Sequence, residues 1–90
     1  MLEMKALFFG NVQGVGFRAE AKFLADQFHL KGIVRNCYDG SVEVIAQGTK
    51  EHLESFIQEI KTRFGHRYLK NVQVEFYSPK TAFESFRIIH

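Results

Sequence analysis

Gly32-Ile33-Val34-Arg35-Asn36-Cys37-Tyr38-Asp39-Gly40-Ser41-Val42-Glu43-Val44-Ile45-Ala46 is the stretch on which the fold turns. Two apolar runs, Ile33 to Cys37 and Ser41 to Ala46, flank Tyr38-Asp39-Gly40. Asp-Gly between apolar runs is a strong hairpin signal, because a type I′ turn needs positive φ at both central positions. A connection this tight joins antiparallel strands. In the second run Val42, Val44 and Ala46 alternate onto one face, the period of a half-buried strand.

Outward from the hairpin the period changes on both sides. Upstream, Phe17, Ala21, Leu24, Ala25 and Phe28 recur at helical spacing, with Lys22 and Asp26 opposite and Phe23 off the stripe. Downstream, Gly48-Thr49 ends the strand and offers Thr49 as an N-cap, followed by Glu51 and Glu54 where the helix dipole favours acids. Leu53, Phe56, Ile57, Ile60 and Phe64 form the second stripe. Beyond the helices lie a buried strand from Met4 to Phe9, stopped by Gly10, and an alternating one from Asn71 to Tyr77. Pro79 then breaks the pattern, and Phe83 to Ile89 supplies a short last strand. The order β-α-β-β-α-β, with a small extra strand, predicts an α+β fold. It is the ferredoxin-like split βαβ sandwich, an antiparallel sheet with two helices on one face. Such a sandwich hosts many unrelated functions and decides no chemistry.

Ninety residues predict a single domain over 1–90. A composition 46% hydrophobic and 24% charged excludes disorder, and ten phenylalanines supply the bulky apolar groups that so short a chain needs for a core. The net charge of +2 is too small to argue for phosphate-backbone binding, so no nucleic-acid partner is expected. No apolar run approaches the roughly 18 residues of a membrane span, and no signal-peptide pattern is visible. The single cysteine, Cys37, cannot form an intrachain disulfide, which fits a reducing cytoplasm.

The chemistry concentrates in Gly10-Asn11-Val12-Gln13-Gly14-Val15-Gly16-Phe17-Arg18, which follows a strand and opens a helix. Unpaired backbone N–H groups point outward there, and glycines let the chain curl so that several converge on one anion. The backbone amides of Val12, Gln13, Gly14, Val15, Gly16, Phe17 and Arg18 are the candidate phosphate ligands, and Arg18 adds a guanidinium fork suited to a tetrahedral oxyanion. A purely structural turn, allowing close strand–helix packing, is the alternative reading. Gly14-x-Gly16-x-x-Ala19 loosely matches a dinucleotide fingerprint, but the hairpin that follows excludes a doubly wound parallel sheet. The Walker pattern fails because no Gly-Lys-Ser/Thr follows.

Topology supplies a second candidate. In a split βαβ the first and second strands run parallel with the third between them, so both finish at one edge. Asn36 then sits roughly 10 Å from the loop, two strand spacings away. Asn36 reads equally well as a turn-flanking residue that bonds its own backbone.

Val12-Gln13-Gly14-Val15-Gly16-Phe17-Arg18, together with Gly32 to Glu43, resembles the two signatures of the acylphosphatase family, and Phe86-Arg87-Ile88 agrees. The resemblance covers nearly the whole chain. It implies hydrolysis of the carboxyl–phosphate anhydride of an acyl phosphate, by in-line attack of water, with no metal and no cofactor. It also implies that Arg18 binds the phosphate and Asn36 positions the attacking water. Three positions depart from the family pattern: His29 stands for a glycine, Ile33 for an aromatic, and Phe64-Gly65-His66-Arg67-Tyr68 for a Gly-Pro segment.

The chemistry suits the residues. A carboxylate leaving group is a weak base that departs without a proton, so the site needs no general acid. Four scattered histidines show no ligand spacing, and Cys37 lacks a Cys-x5-Arg loop. Lys61, Arg63, His66, Arg67 and Lys70 read as a solvated basic loop. An RNA-recognition module would need aromatics on the third strand, and Ser41 to Ala46 has none. A regulatory domain that binds an anion without turnover is the competing class. The expected partner is a small acyl phosphate, with phosphate or sulfate as loop ligands, acting on a monomer.

Overall fold

A computed structural model describes Met1–His90, and seven elements follow the chain. They are β1 (Leu2–Gly10), α1 (Phe17–Gln27), β2 (Lys31–Asn36), β3 (Val42–Gly48), α2 (Lys50–Tyr68), β4 (Leu69–Tyr77) and β5 (Phe86–Ile89). The sheet order is β4-β1-β3-β2-β5. β3 is antiparallel to both β1 and β2, so β1 and β2 are parallel and end at the same edge. This is the expected split βαβ arrangement.

One face of the sheet is apolar because its alternating positions are apolar. Met4, Ala6 and Phe8 of β1, Val34 of β2, and Val42, Val44 and Ala46 of β3 are buried against the helices. Phe17, Ala21, Leu24 and Ala25 of α1 and Leu53, Phe56, Ile57 and Ile60 of α2 close over them. The opposite face carries Glu43, only 6% exposed, held by Arg35 at 2.8 Å and Lys5 at 3.5 Å. Buried carboxylates need such partners.

The structure corrects four expectations. First, the sheet is mixed, because β5 pairs parallel with β2. β4 lies at one edge and runs against β1, and a short connection without a helix must reverse the chain. The returning strand therefore runs with β2 at the other edge. Second, β5 begins at Phe86 and not Phe83. Gln47, 1% exposed on β3, captures the connection by donating to the Thr81 carbonyl at 2.6 Å and accepting from the Phe83 N–H at 2.9 Å. Third, the hairpin is not type I′: Gly40 has φ 92°, whereas Asp39 is not among the positive-φ residues. The Cys37 N–H donates to the Ser41 carbonyl at 2.8 Å and so encloses Tyr38-Asp39-Gly40, and the Ser41 N–H and hydroxyl both donate to Asp39 Oδ1, at 3.0 and 2.6 Å. That ring holds Asp39 where a side chain is comfortable and leaves the left-handed position to glycine.

Fourth, the basic stretch is not a loop: Lys61 and Arg63 precede Gly65 on the helix, His66 and Arg67 lie in the turn after it, and Lys70 is in β4. The apolar stripe continues to Phe64, whose ring lies 4.5 Å from that of Phe17. Gly65, at φ 58° and ψ −169°, then interrupts the helix before a last turn feeds β4. Phe23 is 51% exposed, with the Arg63 guanidinium 5.9 Å above its ring and Arg63 also paired with Glu20. The off-stripe phenylalanine thus joins the two helices at the surface.

Candidate active site

β1 ends at Gly10, and the chain crosses residues 11–16 before α1 starts. Val12 and Phe17 anchor this loop at both ends, each at most 2% exposed. Between them Gly14 and Gly16 take φ 78° and 79°, left-handed conformations that side chains rarely adopt. A Cβ would meet nothing within 4 Å at either glycine, so the requirement there is conformational and not steric. Gly16 caps α1 without any side-chain hydrogen bond. The backbone amides of residues 12–16 donate to no carbonyl of the chain. They are left unpaired at a helix N-terminus, where the dipole is positive and anions are favoured.

Arg18 is the second residue of α1. Its Nη1 lies 3.5 Å from the Ile89 carbonyl and 3.5 Å from His90 Nδ1, both at the limit of hydrogen bonding. No ion pair in the chain involves it. A guanidinium so lightly engaged keeps most of its donors for a ligand.

Asn36 closes β2, where it pairs with Val42. Its Oδ1 is buried and has no hydrogen-bond partner. A buried acceptor of that kind costs about 1–3 kcal/mol unless a donor satisfies it. Gly14, Gly16, Phe17 and Arg18 line a cleft of about 210 Å³ together with Asn36. Val12, Ala19, Ile88 of β5 and His90, which follows that strand, complete the lining. Its titratable side chains are Arg18 and His90, with no carboxylate or thiol among them. Cys37 lines a neighbouring groove instead, beside Arg35 and Tyr38. Nowhere do three His, Cys, Asp or Glu side chains converge.

Of the loop residues, Gln13 and Val15 do not line the cleft with the rest. Val15 is 40% exposed, and the Gln13 side chain reaches across to the β2–β3 turn. The contribution of Ile88 and His90 was invisible in the sequence, because it depends on which edge receives β5. The charged groups around the site are fixed by neighbours: Glu43 holds the Arg35 guanidinium above its ordinary range, and Ser41 holds the Asp39 carboxyl below its own.

The acylphosphatase family model matches residues 4–88. An acylphosphatase of Paenarthrobacter aurescens is 38% identical over 88 residues, covering 98% of this chain and 94% of the relative. One of Ligilactobacillus salivarius is 51% identical over 61 residues, 68% of each chain. The crystal structure of acylphosphatase from Bacillus subtilis superposes with a TM-score of 0.93 at 32% identity, covering both chains completely.

Proposed function

This chain belongs to the acylphosphatase family, an enzyme family whose reaction is hydrolysis of an acyl phosphate to a carboxylate and inorganic phosphate, and we propose that Arg18 and Asn36 carry that reaction here. The observation that supports this most is the shared cleft, whose lining joins a lightly engaged guanidinium and the Asn36 side chain to a loop of unspent amides.

In this reading the amides of residues 12–18 and the Arg18 guanidinium hold the phosphoryl oxygens and stabilise the charge that spreads over them in the transition state. The Asn36 side chain, part of the cleft lining, orients a water whose oxygen attacks phosphorus. As that P–O bond forms, the bond to the acyl oxygen breaks and the carboxylate leaves unprotonated. A phosphoryl oxygen takes the proton of the water, since a neutral amide cannot. The cleft holds several water volumes at about 30 Å³ each, enough for the transferring group and its nucleophile. We propose also that the chain works as a one-domain monomer in a reducing cytoplasm. Its one-cysteine composition and scattered large exposed apolar side chains support that reading.

The test is benzoyl phosphate hydrolysis with EDTA present, alongside competition by inorganic phosphate. Arg18→Ala should abolish measurable turnover and phosphate binding together. Asn36→Ala should lower kcat by about 10²–10³, the range for losing one positioned polar group, and leave phosphate affinity within about threefold. Equal kcat losses in both variants with phosphate affinity unchanged in both would overturn this division of labour. Wild-type protein that binds phosphate through Arg18 yet leaves benzoyl phosphate intact would make the cradle a sensor.

A further inference from the structure

We infer that Gln13 is a positioning residue for this reaction, its side-chain amide clamping the β2–β3 turn, and with it Asn36, to the phosphate loop. The inference rests on the assignment of Arg18 and Asn36 above. Gln13 Nε2 donates to the Cys37 carbonyl at 2.8 Å and to the Ser41 carbonyl at 2.9 Å. An amide nitrogen has two hydrogens, and both are spent on this turn. Two carbonyl acceptors also decide which way the amide faces, because its oxygen would be repelled by both.

The clamp matters because the sheet does not do its work. β1 and β2 carry the two halves of the site, but β3 separates them. The β1–β3 ladder stops at Phe8 and Val42, so the loop overhangs the sheet edge. No other hydrogen bond joins residues 11–19 to residues 36–41. The turn itself is already stiff. Cys37 N–H donates to the Ser41 carbonyl at 2.8 Å, Gly40 N–H to the Cys37 carbonyl at 3.1 Å, and Asp39 binds Ser41 twice. Gln13 therefore seizes a rigid body at both of its stems. Asn36 is bonded directly to Cys37, so fixing that carbonyl fixes the register of the Asn36 amide against the loop. Misplacement of a reacting group by about 1 Å can cost about 10²-fold in rate.

Gln13→Met keeps the length and volume of the side chain and removes its donors, while the main-chain amide at position 13 stays. With benzoyl phosphate, kcat should fall about tenfold to a hundredfold. The inhibition constant of inorganic phosphate should stay within about threefold, because the cradle and Arg18 are intact. In phosphate-saturated protein the Asn36 side-chain NH2 resonances should move, whereas the Arg18 backbone amide holds its position. A merely structural role would lower the denaturation midpoint and leave kcat per folded molecule unchanged, which overturns the proposal. Parallel loss of kcat and phosphate affinity also overturns it, since that is collapse of the cradle. Should Gln13→Met not fold, Gln13→Asn, which shortens the reach by one methylene, is read by the same split. Asn36→Ala with undiminished kcat would remove the reading on which the clamp depends. An unaffected Gln13→Met beside a disabled Asn36→Ala removes the clamp alone.

Discussion

The β2–β3 turn shows how a single carboxylate can shape a site it does not enter. Hydrogen bonds from the Ser41 side chain and backbone hold the Asp39 carboxyl below its ordinary value of 3.8. In the unfolded chain that restraint is gone, so folding favours the charged form. The contribution to stability is therefore complete above the ordinary value and is lost as pH falls through the lowered folded one. Asp39→Asn keeps an oxygen acceptor and cannot titrate. Urea denaturation should show Asp39→Asn less stable than wild type at neutral pH, with the gap closing on the acid side of the carboxylate range. An equal gap at both pH values would count against the carboxylate. At this scale the sequence was partly legible. Arg18 and Asn36 stood in recognisable motifs, and the glycines announced an open loop. Gln13 was read only through its main chain, because a side-chain bond spanning 24 positions to Cys37 leaves no local pattern.

Among the elements, α1 ends in a way that its sequence made doubtful and its geometry explains. His29 has φ 58° and is the one non-glycine residue with positive φ. The Leu30 N–H donates to the Ala25 carbonyl at 2.8 Å and the His29 N–H to that of Asp26 at 3.2 Å, the paired bonds of a Schellman cap. Leu30, 1% exposed, is thereby drawn into the core, so the left-handed turn is imposed by burial of the next residue. The side chain at position 29 works against that turn, at about 1–2 kcal/mol for a left-handed L-residue. His29→Gly should stabilise the protein by about 0.5–1 kcal/mol once the greater freedom of glycine in the unfolded chain is subtracted. A higher urea midpoint at unchanged slope is the expected result; a midpoint at or below wild type would show that His29 is held by contacts, such as that of its ring with His52 at 6.1 Å. Helix and strand identities were legible because alternation and 3.6-residue spacing are local. The direction of β5 and the helical placement of Lys61 and Arg63 were not, since an edge pairing and a stripe of mixed charges depend on what lies across from them.

For the whole molecule, the question is how far the core and the site can be separated. Order β4-β1-β3-β2-β5 puts the strand ends that build the cleft at one edge and brings the last strand beside Arg18. Phe17 joins the two regions, because it lines the cleft and immediately precedes Arg18. Its ring packs 5.0 Å from Phe8 of β1 and 4.5 Å from Phe64 of α2. Phe56 is as deeply buried, at 0% exposure, but does not line the cleft. Truncating either ring to alanine should cost about 3–5 kcal/mol. Against a typical total of about 5–15 kcal/mol, both variants remain folded only under stabilising conditions. Their activities should then diverge. Phe56→Ala, assayed at low temperature where it is folded, should keep kcat within about threefold of wild type, because additive losses at distant sites do not reach the loop. Phe17→Ala should lose about tenfold or more in kcat per folded molecule, since the first residue of α1 no longer seats Arg18. Denaturation curves give the folded fraction, and turnover divided by that fraction gives the comparison. Equal turnover per folded molecule in the two variants would mean that the loop, its helix and Arg18 keep their geometry without the core beneath them.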